Sequence, residues 1–90
     1  MLKLCRDNLN AQKFQEALLA CQAALEDFKK TNNLREQGLS LNNIGFAYNS
    51  LNQYQKAIDN LQQSLKIARE IKKRSHSGTI AVIKKSLNMS

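Results

Sequence analysis

The apolar residues of this chain fall in a helical rhythm that occurs twice. From Phe14 the apolar positions are Phe14, Ala17, Leu18, Cys21, Leu25 and Phe28, with steps of three, one, three, four and three that line one face of an α-helix. Forty residues later the same steps run through Tyr54, Ala57, Ile58, Leu61, Leu65 and Ala68. Between the two, Leu41, Ile44, Tyr48 and Leu51 mark another helix over 34–51. Its counterpart runs from Met1 to about Asn10, where Leu4 and Asn8 stand in place of Ile44 and Tyr48. A last helix is predicted from Ser77 to Asn88, because Ile80, Ile83 and Leu87 repeat Leu41, Ile44 and Tyr48 at an offset of 39, one residue short. The pattern thus predicts five helices. Thr31-Asn32-Asn33 and Asn52-Gln53 break the chain, since Asn and Thr favour turns and caps. Lys72-Lys73-Arg74 carry the positive charge that suits a helix C-terminus.

The polar positions repeat as well. Gln15 and Gln22 recur as Gln55 and Gln62, and Gly38 recurs as Gly78. A period of forty residues with helices inside each unit is the mark of a stacked helix-pair solenoid. Connections of a few residues force sequential helices to pack antiparallel. No linker and no low-complexity segment divides the chain. It has no Pro, no Trp and only 3 Gly, which removes most helix breakers. At 90 residues it makes one small domain, a size that buries only about 60% of the unfolded surface.

No apolar run approaches the roughly 18 residues that span a membrane. The N-terminal stretch carries Lys3, Arg6 and Asp7 and does not read as a secretory leader, so a cytoplasmic protein is expected. Cys5 and Cys21 both lie on predicted packing faces and are expected to be buried, inert thiols rather than a disulfide. The net charge of +7 is uneven: residues 1–45 carry +1 and residues 46–90 carry +6. Lys72, Lys73, Arg74, Lys84 and Lys85 form a basic C-terminal end that favours acidic partners.

Nothing in the sequence supports catalysis, so no enzyme and no cofactor is expected. The single His76 stands between Ser75 and Ser77, and residues adjacent in sequence do not make a triad, which needs convergence in space. Two Cys and one His fall short of a spaced zinc motif. There is no Gly-rich phosphate loop.

The stretch Leu41-Asn42-Asn43-Ile44-Gly45-Phe46-Ala47-Tyr48, followed by Ala57, resembles the tetratricopeptide repeat. In that family a Leu or Ile, a small residue, a Tyr and then an Ala recur at the spacing of Ile44, Gly45, Tyr48 and Ala57. The forty-residue period and Ser64-Leu65-Lys66-Ile67-Ala68-Arg69-Glu70-Ile71 are similar to the long-repeat subtype of kinesin light chains, G-protein-signalling modulators and bacterial signalling proteins, cyanobacterial ones included. Lys72-Lys73 depart from the Gly-Asp usual there, Cys5 replaces the small residue of the first repeat, and Asn8 replaces its Tyr. In the last helix Lys84 or Lys85 stands where the small residue belongs, which suits a solvated cap. Met1 falls inside a helix motif, which also suits a piece of a longer array.

The resemblance implies an all-α fold of antiparallel helix pairs stacked as a short right-handed solenoid. Residues 1–37 form repeat one, 38–77 repeat two and 78–90 a terminal capping or truncated helix. It also implies a scaffold that binds a protein or peptide segment in a concave groove lined by the first helix of each pair. The groove residues expected are Leu39, Asn42, Asn43, Phe46 and Asn49, with Arg6 on the matching face between Leu2 and Leu9. Asn offers both donor and acceptor to a peptide backbone, and Phe46 offers an apolar anchor. The alternative occupation for Phe46 is packing against the neighbouring helix. Clamping of a chaperone's C-terminal carboxylate is rejected, because of Leu2, Arg6, Asn43, Thr79 and Ile83 only Asn43 matches that pattern. Nucleic-acid binding by the basic end is an alternative, disfavoured because no aromatic residue interleaves with the charges. A purely structural fragment, or self-association through unpaired solenoid ends such as Ile80, Val82 and Ile83, is the third reading.

Overall fold

The computed structural model describes the backbone of residues 2–88 and the side chains of residues 2–74. The order is α1 (Leu2–Asn10), α2 (Phe14–Lys30), α3 (Leu34–Ser50) and α4 (Tyr54–Asn88), with three residues in each connection. Sequential helices pack against one another, so α2 is held between α1 and α3, and α3 between α2 and α4. The fold is an all-α helical-repeat solenoid, as the patterning predicts.

The three connections share one geometry. Gln12, Asn32 and Asn52 take left-handed backbone conformations, with φ of 61°, 55° and 63°. Each N–H donates to the carbonyl three residues back: Gln12 to Leu9 at 3.0 Å, Asn32 to Lys29 at 3.2 Å and Asn52 to Asn49 at 3.0 Å. The following residue donates five residues back: Lys13 to Asn8 at 2.8 Å, Asn33 to Phe28 at 3.0 Å and Gln53 to Tyr48 at 2.9 Å. These paired bonds are Schellman motifs, which satisfy the carbonyls orphaned at a helix C-terminus. Asn suits the left-handed position because its short polar side chain tolerates it. Asn33 then caps α3, its Oδ1 accepting from the Glu36 N–H at 3.3 Å. The buried Gln37 braces the same turn, its Nε2 donating to the Phe28 carbonyl at 3.1 Å.

The breaks at 12, 32 and 52 are twenty residues apart, and the next position in that series is Lys72. There the helix does not break. α4 continues as one helix of 35 residues to Asn88, so the expected separate fifth helix from Ser77 is its continuation. Lys72-Lys73-Arg74 favour continuation, since Lys and Arg are good helix formers and the Asn that takes the left-handed position at 32 and 52 is absent there.

The core sits in the middle of the stack. Cys5, Leu18, Cys21, Leu25, Leu41, Ile44 and Ala47 form one buried cluster, with Leu2, Leu9, Ala20, Tyr48, Leu51 and Ile67 packed around it. α3 and α4 approach closely at Gly45. A Cβ there would meet Cγ and Cδ2 of Leu61 at 2.7 Å and the Ala57 carbonyl oxygen at 3.3 Å. A second tie between these helices is the Ser64 hydroxyl, which donates to the Gly38 carbonyl at 2.8 Å. Ser40 is fully buried and its Oγ has no hydrogen-bond partner among the described residues.

Cys5 and Cys21 correct the expectation of inert thiols: they are joined by a disulfide that ties α1 to α2, with Cα atoms 4.9 Å apart. Forty residues separate Cys5 from Gly45 and Cys21 from Leu61. The bridge therefore occupies, in the first helix pair, the same close crossing that Gly45 and Leu61 occupy in the second.

Candidate functional site: a cleft between the first and third helices

The twenty-residue beat of the turns places α1 and α3 side by side as the first members of their pairs. An open cleft of about 510 Å³ lies between them, lined by Arg6, Leu9 and Asn10 of α1 and by Asn42, Asn43 and Phe46 of α3. On each helix these residues are one turn apart, so they share a face. Their buried counterparts fix that face: Cys5 turns inward beside Arg6, and Leu41 and Ile44 turn inward beside Asn42 and Asn43.

Four of the six residues expected from the sequence meet here: Arg6, Asn42, Asn43 and Phe46. Leu39 and Asn49 are exposed on α3 but do not line the cleft. Asn10 was not anticipated; its place four residues after Arg6 on a helical face is the signal that could have found it. Phe46 takes the alternative expected of it, packing against a neighbouring helix. Its ring meets Phe14 edge-on, with centroids 6.4 Å apart and planes at 62°, yet the residue remains 54% exposed toward the cleft.

The polar groups of the cleft are uncommitted among the described residues. Among the described residues, Arg6 has no ion-pair partner; the two ion pairs present join Lys29 to Glu26 and Arg74 to Glu70. The side-chain amides of Asn10, Asn42 and Asn43 likewise make no hydrogen bond among the described residues. The cleft therefore combines one cation, three amides able to donate and accept, and an apolar floor of Leu9 and Phe46.

A second cleft, of about 300 Å³, lies where α2, the end of α3 and the start of α4 meet. Tyr48 forms its wall, accepting from Gln22 Nε2 at 3.3 Å and lying under Lys56 Nζ at 5.7 Å from the ring centre.

Of the expected basic patch, Lys72, Lys73 and Arg74 are exposed on α4, and Arg74 Nε donates to Glu70 Oε1 at 3.1 Å. Lys84 and Lys85 lie outside the described side chains, as does His76. Among the described residues no group of His, Cys, Asp and Glu is placed to hold a metal ion, and no helix is long and apolar enough to cross a membrane.

The family model described as tetratricopeptide repeat matches residues 1–70. No curated protein and no solved structure matches. That match covers α1, α2, α3 and the first half of α4, including every turn and every residue of the cleft, and the chain belongs to the tetratricopeptide repeat family.

Proposed function

We propose that the chain binds an extended protein segment in the cleft between α1 and α3. Tetratricopeptide repeats in general mediate protein–protein interaction, and the make-up of the cleft supports that role for it in this chain. The carrying observation is the co-location around one cavity of Arg6 and of the amides of Asn10, Asn42 and Asn43, none of them paired among the described residues, with half-exposed Phe46. The amides hold the peptide backbone, Phe46 takes an apolar side chain, and Arg6 takes an acidic one. Residues 1–37 and 38–77 are the two repeats in this reading, and 78–90 the terminal unit. The positive charge of α4 adds long-range attraction for acidic segments.

The test is a peptide array scored for acidic and apolar spacing, followed by calorimetry on the best binder. Arg6→Glu and Phe46→Ala should each weaken that binder about tenfold or more, the loss of one hot-spot contact; Arg6→Glu should leave the melting temperature unchanged, while Phe46→Ala should lower it slightly through loss of the Phe14 contact. Unchanged affinity in both variants would place binding elsewhere. A polyanion reading of the basic end has less support, because Arg74 is already engaged by Glu70 and no aromatic ring flanks Lys72 or Lys73. It predicts a nucleic-acid gel shift at low salt that vanishes as salt rises.

A further inference from the structure

Peptide binding between α1 and α3 uses no residue of the second cleft, where α2, the end of α3 and the start of α4 meet; the two clefts share no lining residue. One side of the second cleft is α2, with Gln15, Leu19 and Gln22. Steps of four and three place these three on one helical face. Leu19 is 70% exposed there. The other side is Tyr48 of α3, Gln53 of the connection and Lys56 of α4.

The hydrogen bonds already made decide what kind of group can enter. The Tyr48 hydroxyl accepts from Gln22 Nε2 at 3.3 Å and donates to nothing among the described residues. Its proton is left for an incoming acceptor. The Lys56 ammonium lies over the face of the same ring, 5.7 Å from its centre, and makes no ion pair among the described residues. It brings three donors and no acceptor. The side-chain amides of Gln15 and Gln53 make no hydrogen bond among the described residues and can donate as well. No acidic residue lines the cleft: Glu16 points elsewhere on α2, and Asp59 accepts from Gln55 Nε2 at 3.1 Å. Donors gathered around one positive charge, beside an exposed leucine, call for a carboxylate with an apolar neighbour.

We propose that this cleft docks an acidic side chain of a protein partner. Lys56 pairs with the carboxylate, Tyr48 and the two glutamine amides donate to its oxygens, and Leu19 receives the apolar side chain next to it. Tyr48 thus packs against the core with its ring and recognises the partner with its tip. An exposed ion pair contributes little alone, so a short acidic segment binds weakly here. Its use is as a second contact: a partner that also fills the α1–α3 cleft gains affinity because the second engagement is intramolecular.

The test is an NMR titration of the isotope-labelled chain with a blocked peptide alternating glutamate and leucine. The side-chain amide signals of Gln15 and Gln53 should shift and saturate. They should do so equally in Arg6→Glu, so that the result does not depend on whether the α1–α3 cleft binds. Lys56→Glu, at an exposed position, should weaken the affinity read from those signals about fivefold or more while leaving the helical circular dichroism intact. Tyr48→Phe, which keeps the ring and removes the hydroxyl, should weaken it about threefold. A peptide with glutamine in place of glutamate should bind about fivefold or more weakly. Silent Gln15 and Gln53 signals, an affinity unmoved by Lys56→Glu, or equal binding of the glutamine peptide would each overturn the proposal. So would a single-stranded oligonucleotide that shifts the same signals at lower concentration than the peptide, which would assign the cleft to a phosphate backbone.

Discussion

Gly45 and the Cys5–Cys21 bridge are two solutions to one packing problem at the scale of single residues. The helices of each pair cross at a point too tight for two ordinary side chains. In the second pair a missing Cβ makes room for Leu61; in the first, two sulfur atoms fill the crossing as a bond. Gly45→Ala gains about 1 kcal/mol of helix propensity but forces a methyl group onto Leu61 and the Ala57 carbonyl, an overpacking cost of about 1–3 kcal/mol. A net loss of about 1 kcal/mol is expected in urea denaturation. Leu61→Ala in the same chain should recover most of it, and strict additivity of the two changes would disprove the contact. The sequence made Gly45 legible, because its motif of small residues is explicit. It hid the bridge. A separation of sixteen residues says nothing about proximity, and only the alignment of Cys5 with Gly45 and of Cys21 with Leu61 shows that both cysteines stand at a crossing.

At the scale of elements, the left-handed residue every twenty positions decides where helices end. Asn32 holds φ at 55° and its side chain makes no hydrogen bond among the described residues, so it isolates the backbone effect. Asn32→Gly should leave thermal stability within about 0.5 kcal/mol of the parent, whereas Asn32→Val should lose about 1–2 kcal/mol, since a β-branched residue resists that conformation. Equal melting temperatures for the two would mean that the turn is not held in that geometry. Asn32 and Asn52 announce their turns in the sequence; Gln12 does not, and its turn follows only from the forty-residue equivalence with Asn52. The expected turn before the last helix failed for a related reason. A basic run such as 72–74 suits a helix C-terminus by only about tenths of a kcal/mol, and the Asn that turns the chain at 32 and 52 is absent at 72.

At the scale of the whole molecule, the continuous α4 sets the shape. The principal extents are 58 × 24 × 21 Å and the radius of gyration is 16.8 Å, against about 12 Å for a compact chain of this length. The stack of helix pairs was legible from period alone, and so was the side of it that carries Arg6, Asn42, Asn43 and Phe46. Cleft membership was less legible at the margins: Leu39 and Asn49 sit a turn beyond the cavity on either side of α3, and a periodic face does not reveal where a concavity stops.

The sulfur bridge has a consequence for recognition. Half of the cleft belongs to α1, a nine-residue helix too short to hold its own shape in water. Closing a loop of this size is worth about 3 kcal/mol, much of it through restricting the unfolded chain. Cutting the bridge with a reductant should leave α2, α3 and α4 as the cooperative unit and let α1 fray, so that a ligand must order Arg6, Leu9 and Asn10 as it arrives. Calorimetry on oxidised and reduced chain should then give weaker binding with a larger entropic penalty after reduction. Identical isotherms would show that packing alone keeps α1 in place. If the two differ, ligand affinity becomes a gauge of the thiol redox state around the chain.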